Sequence, residues 1–501
     1  MKKKCYIDFK TVNGNQYIYD SNTGCVIACD EIIKESIDLY EGNTIEDVEK
    51  ILFKKYKNEK MVKRGLSFVE KYSRLFTGFY KTSEQVKREQ QFIDRFDEQE
   101  VEICLFKLGY FGQIVLNLTE NCNLRCKYCF FSESYDNTRN RTDKIMSEKT
   151  AIDALDYYFK EFKKVLMYNP GKKCVVTFYG GEPLLNFEII KKCVEYTKEN
   201  CPSEYIFSIT SNGLLLQNEI AEYLVSNDFY ISVSLDGNKN NHDRNRVLPN
   251  NKGSFDIIMN NLKSFKEKYP DYNRINIISV FDYKTNLLDN NEFFKDEDLP
   301  RLSFVNAVLD KNTNYYKKFR KEDIEKFNAE YSEILKLFIG DMKNNSFSNE
   351  YADMFWNLNS ALFFMRRMYK DYKVPILPYT GACVPGTKLS VRVDGTFDMC
   401  ERVDYSMPIG NVYDGIDFKA IVNVMKKYNK KCAEKCGYCP LYKACPVCYS
   451  TLCLDEQVQE KNCNNLIENF RMLLVVIYSI LEINPNAFDI FENKIEWALN
   501  R

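Results

Sequence analysis

Three cysteines lie close together on one short stretch, with the spacing Cys122-x3-Cys126-x2-Cys129. Thiolates are soft ligands for iron and zinc. Three of them on one loop could hold three irons of a cubane cluster and leave the fourth iron open. The spacing alone also permits a zinc knuckle or simple buried thiols. The sequence around the motif must separate these alternatives.

The chain has 19 cysteines but a single histidine, His242. Its first residues, MKKKCYIDFK, lack an apolar core of signal-peptide length, so we expect a cytoplasmic protein whose clustered thiols bind metal. One histidine argues against His-rich zinc sites and against a Ser/His/Asp triad. We therefore expect the chemistry to depend on sulfur, carboxylates or a cofactor, with His242 in a structural role.

The charges and the apolar runs exclude other classes of function. Seventy basic residues balance 71 acidic ones, so there is no overall electrostatic reason to expect nucleic acid as a partner. The longest apolar run, Met472 to Leu481, is about half of the roughly 20 residues that cross a bilayer. We expect no membrane span, and two or three domains in 501 residues.

Short apolar strands alternate with amphipathic helices from about residue 113 to 308. This alternation predicts an α/β fold with a parallel sheet, closed or nearly closed by helical crossovers. The predicted strands are Gln113–Leu118, Cys174–Tyr179, Tyr205–Thr210, Tyr230–Leu235, Ile275–Val280 and Leu302–Val308. The predicted helices are Ser147–Leu166, Phe187–Lys198, Asn218–Val225 and Phe255–Tyr269.

Polar motifs follow four of these strands, where chemistry gathers in parallel sheets. They are the cysteine loop, Gly180-Gly181-Glu182-Pro183, Ser211-Asn212-Gly213 and Ser234-Leu235-Asp236-Gly237. The glycines allow close backbone approach, and a carboxylate such as Glu182 accepts hydrogen bonds from an ammonium group. Each motif could also be a plain turn or helix cap. Their convergence on one edge predicts one site.

In this order, with His242, Asp243 and Arg246 behind the last motif, the four loops resemble the radical S-adenosylmethionine (SAM) superfamily. The resemblance covers about Ile114 to Val308 and implies a partial (β/α)6 barrel. It also implies a 4Fe–4S cluster on Cys122, Cys126 and Cys129 whose open iron chelates SAM. A zinc site would leave the ordered loops unexplained. The residues expected to contact SAM are Gly180, Gly181, Glu182, Pro183, Ser211, Asn212, Ser234, Asp236 and Arg246, although Arg246 could instead form a surface salt bridge.

A second group of cysteines lies near the carboxyl end, as Cys383-x16-Cys400 and then Cys436-x2-Cys439-x5-Cys445-x2-Cys448 with Cys463 fourteen residues later. This pattern is similar to the SPASM extension, which implies two auxiliary 4Fe–4S clusters. With the SAM-binding cluster the resemblance implies three clusters in all. The first would use Cys383, Cys400 and Cys448, and the second Cys436, Cys439, Cys445 and Cys463. The last short gap has two residues where the family usually has three, so Cys432 or Cys453 could replace Cys448. Two structural zinc sites are the alternative.

The first hundred residues differ from the rest in their predicted pattern of strands and helices. They predict short strands at Tyr6–Phe9, Gln16–Tyr19 and Gly24–Ala28, then helices at Asp30–Tyr40 and Thr44–Tyr56. This order resembles the winged-helix-type element that binds the leader of a precursor peptide as an added edge strand. A scaffold or dimerisation module is the alternative. The charged stretch Thr82–Gln99 predicts a solvated helix or tether.

These features predict four parts: residues 1–100, the barrel at 101–310, a helical bridge at 311–382 and a cluster domain at 383–501. The resemblance implies a cytoplasmic oxidoreductase that matures a ribosomally synthesised peptide, with thioether formation favoured. Its expected partners are the precursor with its leader and a reductant such as flavodoxin or ferredoxin. The alternatives are anaerobic sulfatase maturation, a carbon–carbon crosslink, epimerisation, or a metal-binding scaffold without catalysis.

Overall fold

The computed structural model describes residues 2–76, 78–132, 135, 141–295, 299–307, 313–356, 383–402, 405–442, 444–449 and 460–489. Within this part the chain forms two compact units. The first contains residues up to 97, residues 383–384 and residues 422–487, and the second contains residues 98–356 and 385–421. The four predicted parts follow other boundaries and stay a prediction.

The strands are short and are numbered in the order in which they occur along the chain. They are β1 Lys2–Lys4, β2 Tyr6–Lys10, β3 Gln16–Asp20, β4 Cys25–Ala28, β5 Tyr80–Thr82, β6 Gln113–Asn117, β7 Cys174–Tyr179, β8 Tyr205–Ser211, β9 Tyr230–Ser234, β10 Ile275–Phe281, β11 Leu302–Ala307, β12 Lys388–Val391, β13 Thr396–Asp398, β14 Pro408–Asn411 and β15 Gly415–Ile416.

The α-helices are α1 Glu31–Tyr40, α2 Ile45–Tyr56, α3 Glu59–Phe76, α4 Ser83–Arg95, α5 Glu98–Glu102, α6 Glu148–Leu166, α7 Phe187–Asn200, α8 Asn218–Ser226, α9 Lys239–Asn245, α10 Phe255–Lys268, α11 Leu287–Phe293, α12 Lys321–Asn344, α13 Phe418–Cys436 and α14 Glu460–Leu481. Short turns of π- or 3₁₀-helix lie at Ile103–Lys107, Pro183–Asn186 and Tyr315–Lys318.

The second unit is built on a sheet in the order β11-β10-β9-β8-β7-β6-β12-β13-β14-β15. The strands β6 to β11 all pair in parallel and alternate with helices along the chain. The predicted α/β fold with a parallel sheet is therefore confirmed. The boundaries of these strands and of the four predicted helices agree with the predicted ones to within about two residues. Ser147 accepts a hydrogen bond from the Thr150 N–H and caps α6.

The strands β12 to β15 were not predicted from the sequence. β12 joins the sheet in parallel beside β6, and the three strands after it continue as antiparallel pairs. The Asn117 amide, at the end of β6, donates to Ser390 Oγ and to the Val391 carbonyl, each at 2.9 Å. These bonds fix the added strand against the strand that leads into the cysteine loop.

The first unit begins with the antiparallel sheet β2-β3-β4, followed by α1, α2 and α3. We call residues 2–97 the front module. Thr44, where the sequence predicts a helix to begin, caps α2, and the charged stretch after residue 82 forms α4. The carboxyl-terminal helix α14 packs on β2, where the Phe9 and Tyr478 rings lie 5.5 Å apart. In the described part of the chain, no helix has the length and apolarity needed to span a bilayer.

The central strand β8 offers a test of the core. We expect Ile209→Ala to lower the free energy of unfolding by about 2–5 kcal/mol, because Ile209 is fully buried and its loss leaves a cavity. Ile206→Ala, on the opposite face of the same strand and only half-buried, is the matched control and should cost clearly less. Denaturant unfolding of the two variants measures both. Equal losses would contradict the assigned facing of β8.

Candidate functional site

The cysteine loop follows β6 and is held by its backbone. The Arg125 N–H donates to the Val247 carbonyl at 2.7 Å, and the Lys127 N–H donates to the Asn245 carbonyl at 3.0 Å. Within the loop, the Leu124 and Phe131 N–H groups point at the sulfurs of Cys122 and Cys129, each at 3.4 Å. Backbone N–H groups directed at sulfur stabilise a thiolate, which is the form that binds metal.

The three cysteines are half-buried, and this burial opposes the ionisation of their thiols when no metal is bound. It raises the pKa of Cys122 to about 11 and that of Cys126 to about 12, and it also raises the pKa of Cys129. Each of the three sulfurs lies close enough to another to influence its ionisation. Metal binding must therefore displace three protons, and loading should improve as the pH rises.

The donor set fits an iron–sulfur cluster. Among the described residues, no three His, Cys, Asp or Glu side chains meet closely enough to bind one metal ion. A cubane instead takes each thiolate on a different iron atom, so its ligands stand further apart than the ligands of one ion. Three half-buried thiols on one loop, two of them with N–H groups directed at sulfur, suit that arrangement.

The Gly-Gly-Glu-Pro loop after β7 packs directly on the cysteine loop. The Gly181 N–H donates to the Thr119 carbonyl at 2.8 Å, and the Glu182 N–H donates to the Asn121 carbonyl at 3.0 Å. A Cβ at Gly181 would lie 2.0 Å from the Asn121 oxygen, so only glycine allows this approach. Gly180 adopts a positive φ of 133°, and Pro183 begins the 3₁₀ turn that follows.

Glu182 joins three of the predicted loops. Its buried carboxylate accepts hydrogen bonds from the Asn212 N–H at 2.7 Å and from Ser211 Oγ at 2.9 Å. The Asn212 amide in turn lies 3.7 Å from the Cys122 sulfur. Burial raises the pKa of Glu182 to about 7, although these hydrogen bonds oppose the shift. Glu182, Ser211, Asn212 and Cys122 therefore form one connected group.

Asp236 and Arg246 form a second buried group on the other side of the cysteine loop. Arg246 Nε lies 3.0 Å from Asp236 Oδ2, and Arg246 Nη1 lies 3.9 Å from the Cys126 sulfur. Because the Arg246 side chain is only 9% exposed, the alternative of a surface salt bridge is wrong. Ser234 ends β9 and is paired with Ile278.

Tyr128 was not among the predicted site residues. Its hydroxyl donates to the Asp236 carboxylate, and the Arg246 guanidinium lies 5.4 Å from the centre of its ring. The only signal in the sequence was the position of this aromatic residue between Cys126 and Cys129. Its partners come from the segment after β9, so the contact depends on the tertiary fold.

His242 is structural, as expected from the sequence. Its Nε2 lies 2.9 Å from Ser254 Oγ, and its Nδ1 accepts the Asp236 N–H at 3.3 Å. The neutral ring thereby fixes the backbone of the loop that presents Asp236. Burial lowers the pKa of His242 from 6.5 to about 4.

The carboxyl-terminal cysteines divide between the two units. Four of them, in the first unit, influence one another electrostatically: Cys436, Cys439, Cys445 and Cys463. The Leu441 N–H points at the Cys439 sulfur at 3.4 Å, and the Arg402 N–H points at the Cys400 sulfur at the same distance.

The cysteines predicted for the first auxiliary cluster are divided between the two units. Cys383 and Cys448 lie in the first unit, whereas Cys400 lies in the second. Cys432, the first possible substitute for Cys448, is buried. Cys453, the second, lies outside the described residues.

The pH dependence of stability tests the role of His242. The unfolded chain takes up a proton near pH 6.5 but the folded protein resists it until about pH 4. The free energy of unfolding should therefore fall by about 3 kcal/mol as the pH is lowered from 6.5 to about 4. We expect His242→Gln to lose this part of the pH dependence. Denaturant unfolding at pH 7 and pH 4.5 measures it, and identical slopes for both proteins would contradict the assignment.

Comparisons with known proteins agree with this geometry. The Radical SAM superfamily model matches residues 116–286. The cysteine-type anaerobic sulfatase-maturating enzyme of Clostridium novyi is 28% identical over 39% of this chain, which spans half the length of that relative. The radical SAM cyclopropyl synthase TigE of Paramaledivibacter caminithermalis is 26% identical over 76% of both chains.

Solved structures share the fold. Native anSMEcpe with bound AdoMet is 20% identical, with a TM-score of 0.53 over 76% of this chain and 99% of its own. The family match covers the cysteine loop and the three polar loops described above, and it agrees with SAM and an iron–sulfur cluster as cofactors. The comparisons therefore identify a radical SAM domain at residues 116–286 of this chain.

Proposed function

We propose that this protein is a peptide maturase that forms thioether crosslinks in a ribosomally synthesised precursor. The observation that carries the proposal is the connected group Glu182, Ser211, Asn212 and Cys122, which joins carboxylate, hydroxyl and amide groups to a cluster thiol. Such a group can bind the polar end of SAM beside the metal. One relative of this chain, the cyclopropyl synthase TigE, is named as a radical SAM enzyme.

The residues of the site have distinct roles in this proposal. When bound, the cluster supplies the electron that cleaves SAM to methionine and the 5′-deoxyadenosyl radical that takes hydrogen from the substrate. Glu182 accepts the SAM ammonium, and Gly181 lets the backbone approach closely. Arg246, paired with Asp236, holds positive charge beside Cys126 and the SAM carboxylate.

The front module supports a peptide substrate. Three antiparallel strands followed by three helices match the order expected of a leader-binding element. Among the described strands, β4 pairs on one side only, with β3, so its other edge can accept an added strand. In this proposal the leader binds there, while flavodoxin or ferredoxin supplies electrons.

The carboxyl-terminal cysteines support auxiliary clusters. Cys436, Cys439, Cys445 and Cys463 would hold the second cluster, and Cys383, Cys400 and Cys448 the first. Thioether formation oxidises the substrate, because a C–H and an S–H bond are replaced by one C–S bond. The second electron then needs an acceptor, and an auxiliary cluster can serve as one.

A second candidate is anaerobic sulfatase maturation. It is favoured by the sulfatase-maturating relatives, including the Clostridium perfringens enzyme, which is 26% identical over 65% of this chain and 85% of its own. A carbon–carbon bond-forming reaction is favoured by the cyclopropyl synthase relative. The three reactions leave different marks on a cysteine-containing substrate.

Removing one cluster ligand tests the first part of the proposal. We expect Cys126→Ala to lose the SAM-cleaving cluster. Because this cofactor is essential, the rate of 5′-deoxyadenosine formation under strong reductant should fall at least a hundredfold. Iron content, the electron paramagnetic resonance signal and chromatography of the nucleoside measure this. Cys193→Ala, which removes a buried thiol from α7 that is assigned to no cluster, is the control and should retain both. A Cys126→Ala variant that still cleaves SAM would exclude the assigned ligand.

The mass of a coexpressed precursor tests the reaction. For thioether formation we expect loss of two hydrogens for each crosslink, together with loss of alkylation at the same cysteine. Retained alkylation with the same mass loss would indicate a carbon–carbon bond instead. Loss of the cysteine sulfur with gain of an aldehyde would indicate the sulfatase-type reaction.

A further inference from the structure

The front module contacts the segment that carries three of the four cysteines assigned to the second auxiliary cluster. We call Cys436–Cys445 the cysteine segment; Lys443 lies outside its described part. Residues of the front module lie against five positions of the segment. A Cβ at Gly437 would lie 3.0 Å from Val86 Cγ1, and the Lys3 ammonium lies 4.7 Å from the centre of the Tyr438 ring. Cys5 Sγ lies 3.6 Å from the Cys439 carbonyl, Ser21 Oγ donates to the Pro440 carbonyl, and the Tyr442 hydroxyl donates to Asn22 Oδ1 at 3.3 Å.

Lys81, on β5, makes the most unusual of these contacts. Its side chain is 2% exposed, and its ammonium lies 4.1 Å from the centre of the Tyr442 ring and 2.6 Å from Glu89 Oε2 on α4. A buried lysine is rare because the charge loses its hydration, so it needs both a counter-ion and a favourable polar surface. Glu89 supplies the first and the face of Tyr442 the second.

Tyr442 connects this charge pair to the cluster ligands. It stands midway between Cys439 and Cys445, and its N–H donates to the Cys439 carbonyl at 3.2 Å. The Leu441 N–H, one residue earlier, points at the Cys439 sulfur. The turn that aims this sulfur is therefore packed, through Tyr442, on the buried lysine of an ion pair from a distant part of the chain.

We propose that the front module forms one wall of the second auxiliary cluster site, and that the Lys81–Glu89 pair positions the cysteine segment and sets the reduction potential of the cluster held there. The inference rests on the proposed auxiliary cluster at Cys436, Cys439, Cys445 and Cys463. Lys81 is a positioning residue in this account, because it acts through Tyr442 and does not touch the cluster.

The electrostatic consequence has a definite sign. Reduction adds a negative charge to the cluster, so a nearby buried cation favours the reduced form and a nearby anion opposes it. Lys81→Met leaves Glu89 uncompensated and should lower the reduction potential. Glu89→Gln removes the negative charge that lies 2.6 Å from the Lys81 ammonium and should raise it. A purely structural role would move both potentials in the same direction, or would lower cluster content in both variants.

The experiment uses the full chain with Cys122, Cys126 and Cys129 all replaced by alanine, so that signals from the carboxyl-terminal clusters stand alone. The signal lost in Cys439→Ala identifies the second auxiliary cluster. Its potential is then measured by a redox titration followed by electron paramagnetic resonance, with iron content measured alongside. We expect opposite shifts in Lys81→Met and Glu89→Gln and no shift in Lys81→Arg.

Lys34→Met is the matched control. Lys34 also pairs with a carboxylate, Asp38 at 2.6 Å, and lies 5.6 Å from the centre of an aromatic ring, Tyr6, in the same module. Its partners are in the front module, so its removal should leave the potential unchanged. Shifts of the same sign, no shift, or an equal shift in the control would overturn the inference. If no signal depends on Cys439, the proposed auxiliary cluster fails as well.

Discussion

Two carboxylates buried just beyond the ends of parallel strands hold the site together. A buried carboxylate without hydrogen-bond donors costs several kcal/mol, so each must draw donors from the neighbouring loops. Glu182 draws them from Ser211 and Asn212. Asp236 accepts a hydrogen bond from the hydroxyl of Tyr128 and forms an ion pair with Arg246. These bonds bring loops from separate strands against the cysteine loop.

The sheet beneath supplies the fixed edge from which these loops extend. Parallel strands buried on both faces pack tightly and place their carboxyl ends in one row. The added strand β12 strengthens this edge next to the cysteine loop, because Asn117 binds both Ser390 and Val391. Strand β6, which leads into the cysteine loop, is therefore held on both of its edges, by β7 and by β12.

The first unit shows a different kind of constraint. Its two halves come from opposite ends of the chain and share a core, with Thr11 Oγ1 donating to Glu482 Oε1 at 2.9 Å and Arg471 donating to the Asp8 carbonyl at 3.0 Å. A module that resembles a separate recognition element is therefore part of the same packed body as the cysteine segment. The front module packs on that segment where Lys81 lies over the ring of Tyr442.

The sequence by itself determined the alternation of strands and helices, the helix caps and the cysteine spacings, because each depends on residues only a few positions apart. It could not place Arg246 against Cys126, pair β12 with β6, or bury Lys81 against Tyr442. Those contacts join residues far apart in the chain, such as Asn117 and Ser390, which are separated by 273 positions. Only the folded chain brings such partners together, since their pairing depends on packing and desolvation and leaves no local pattern.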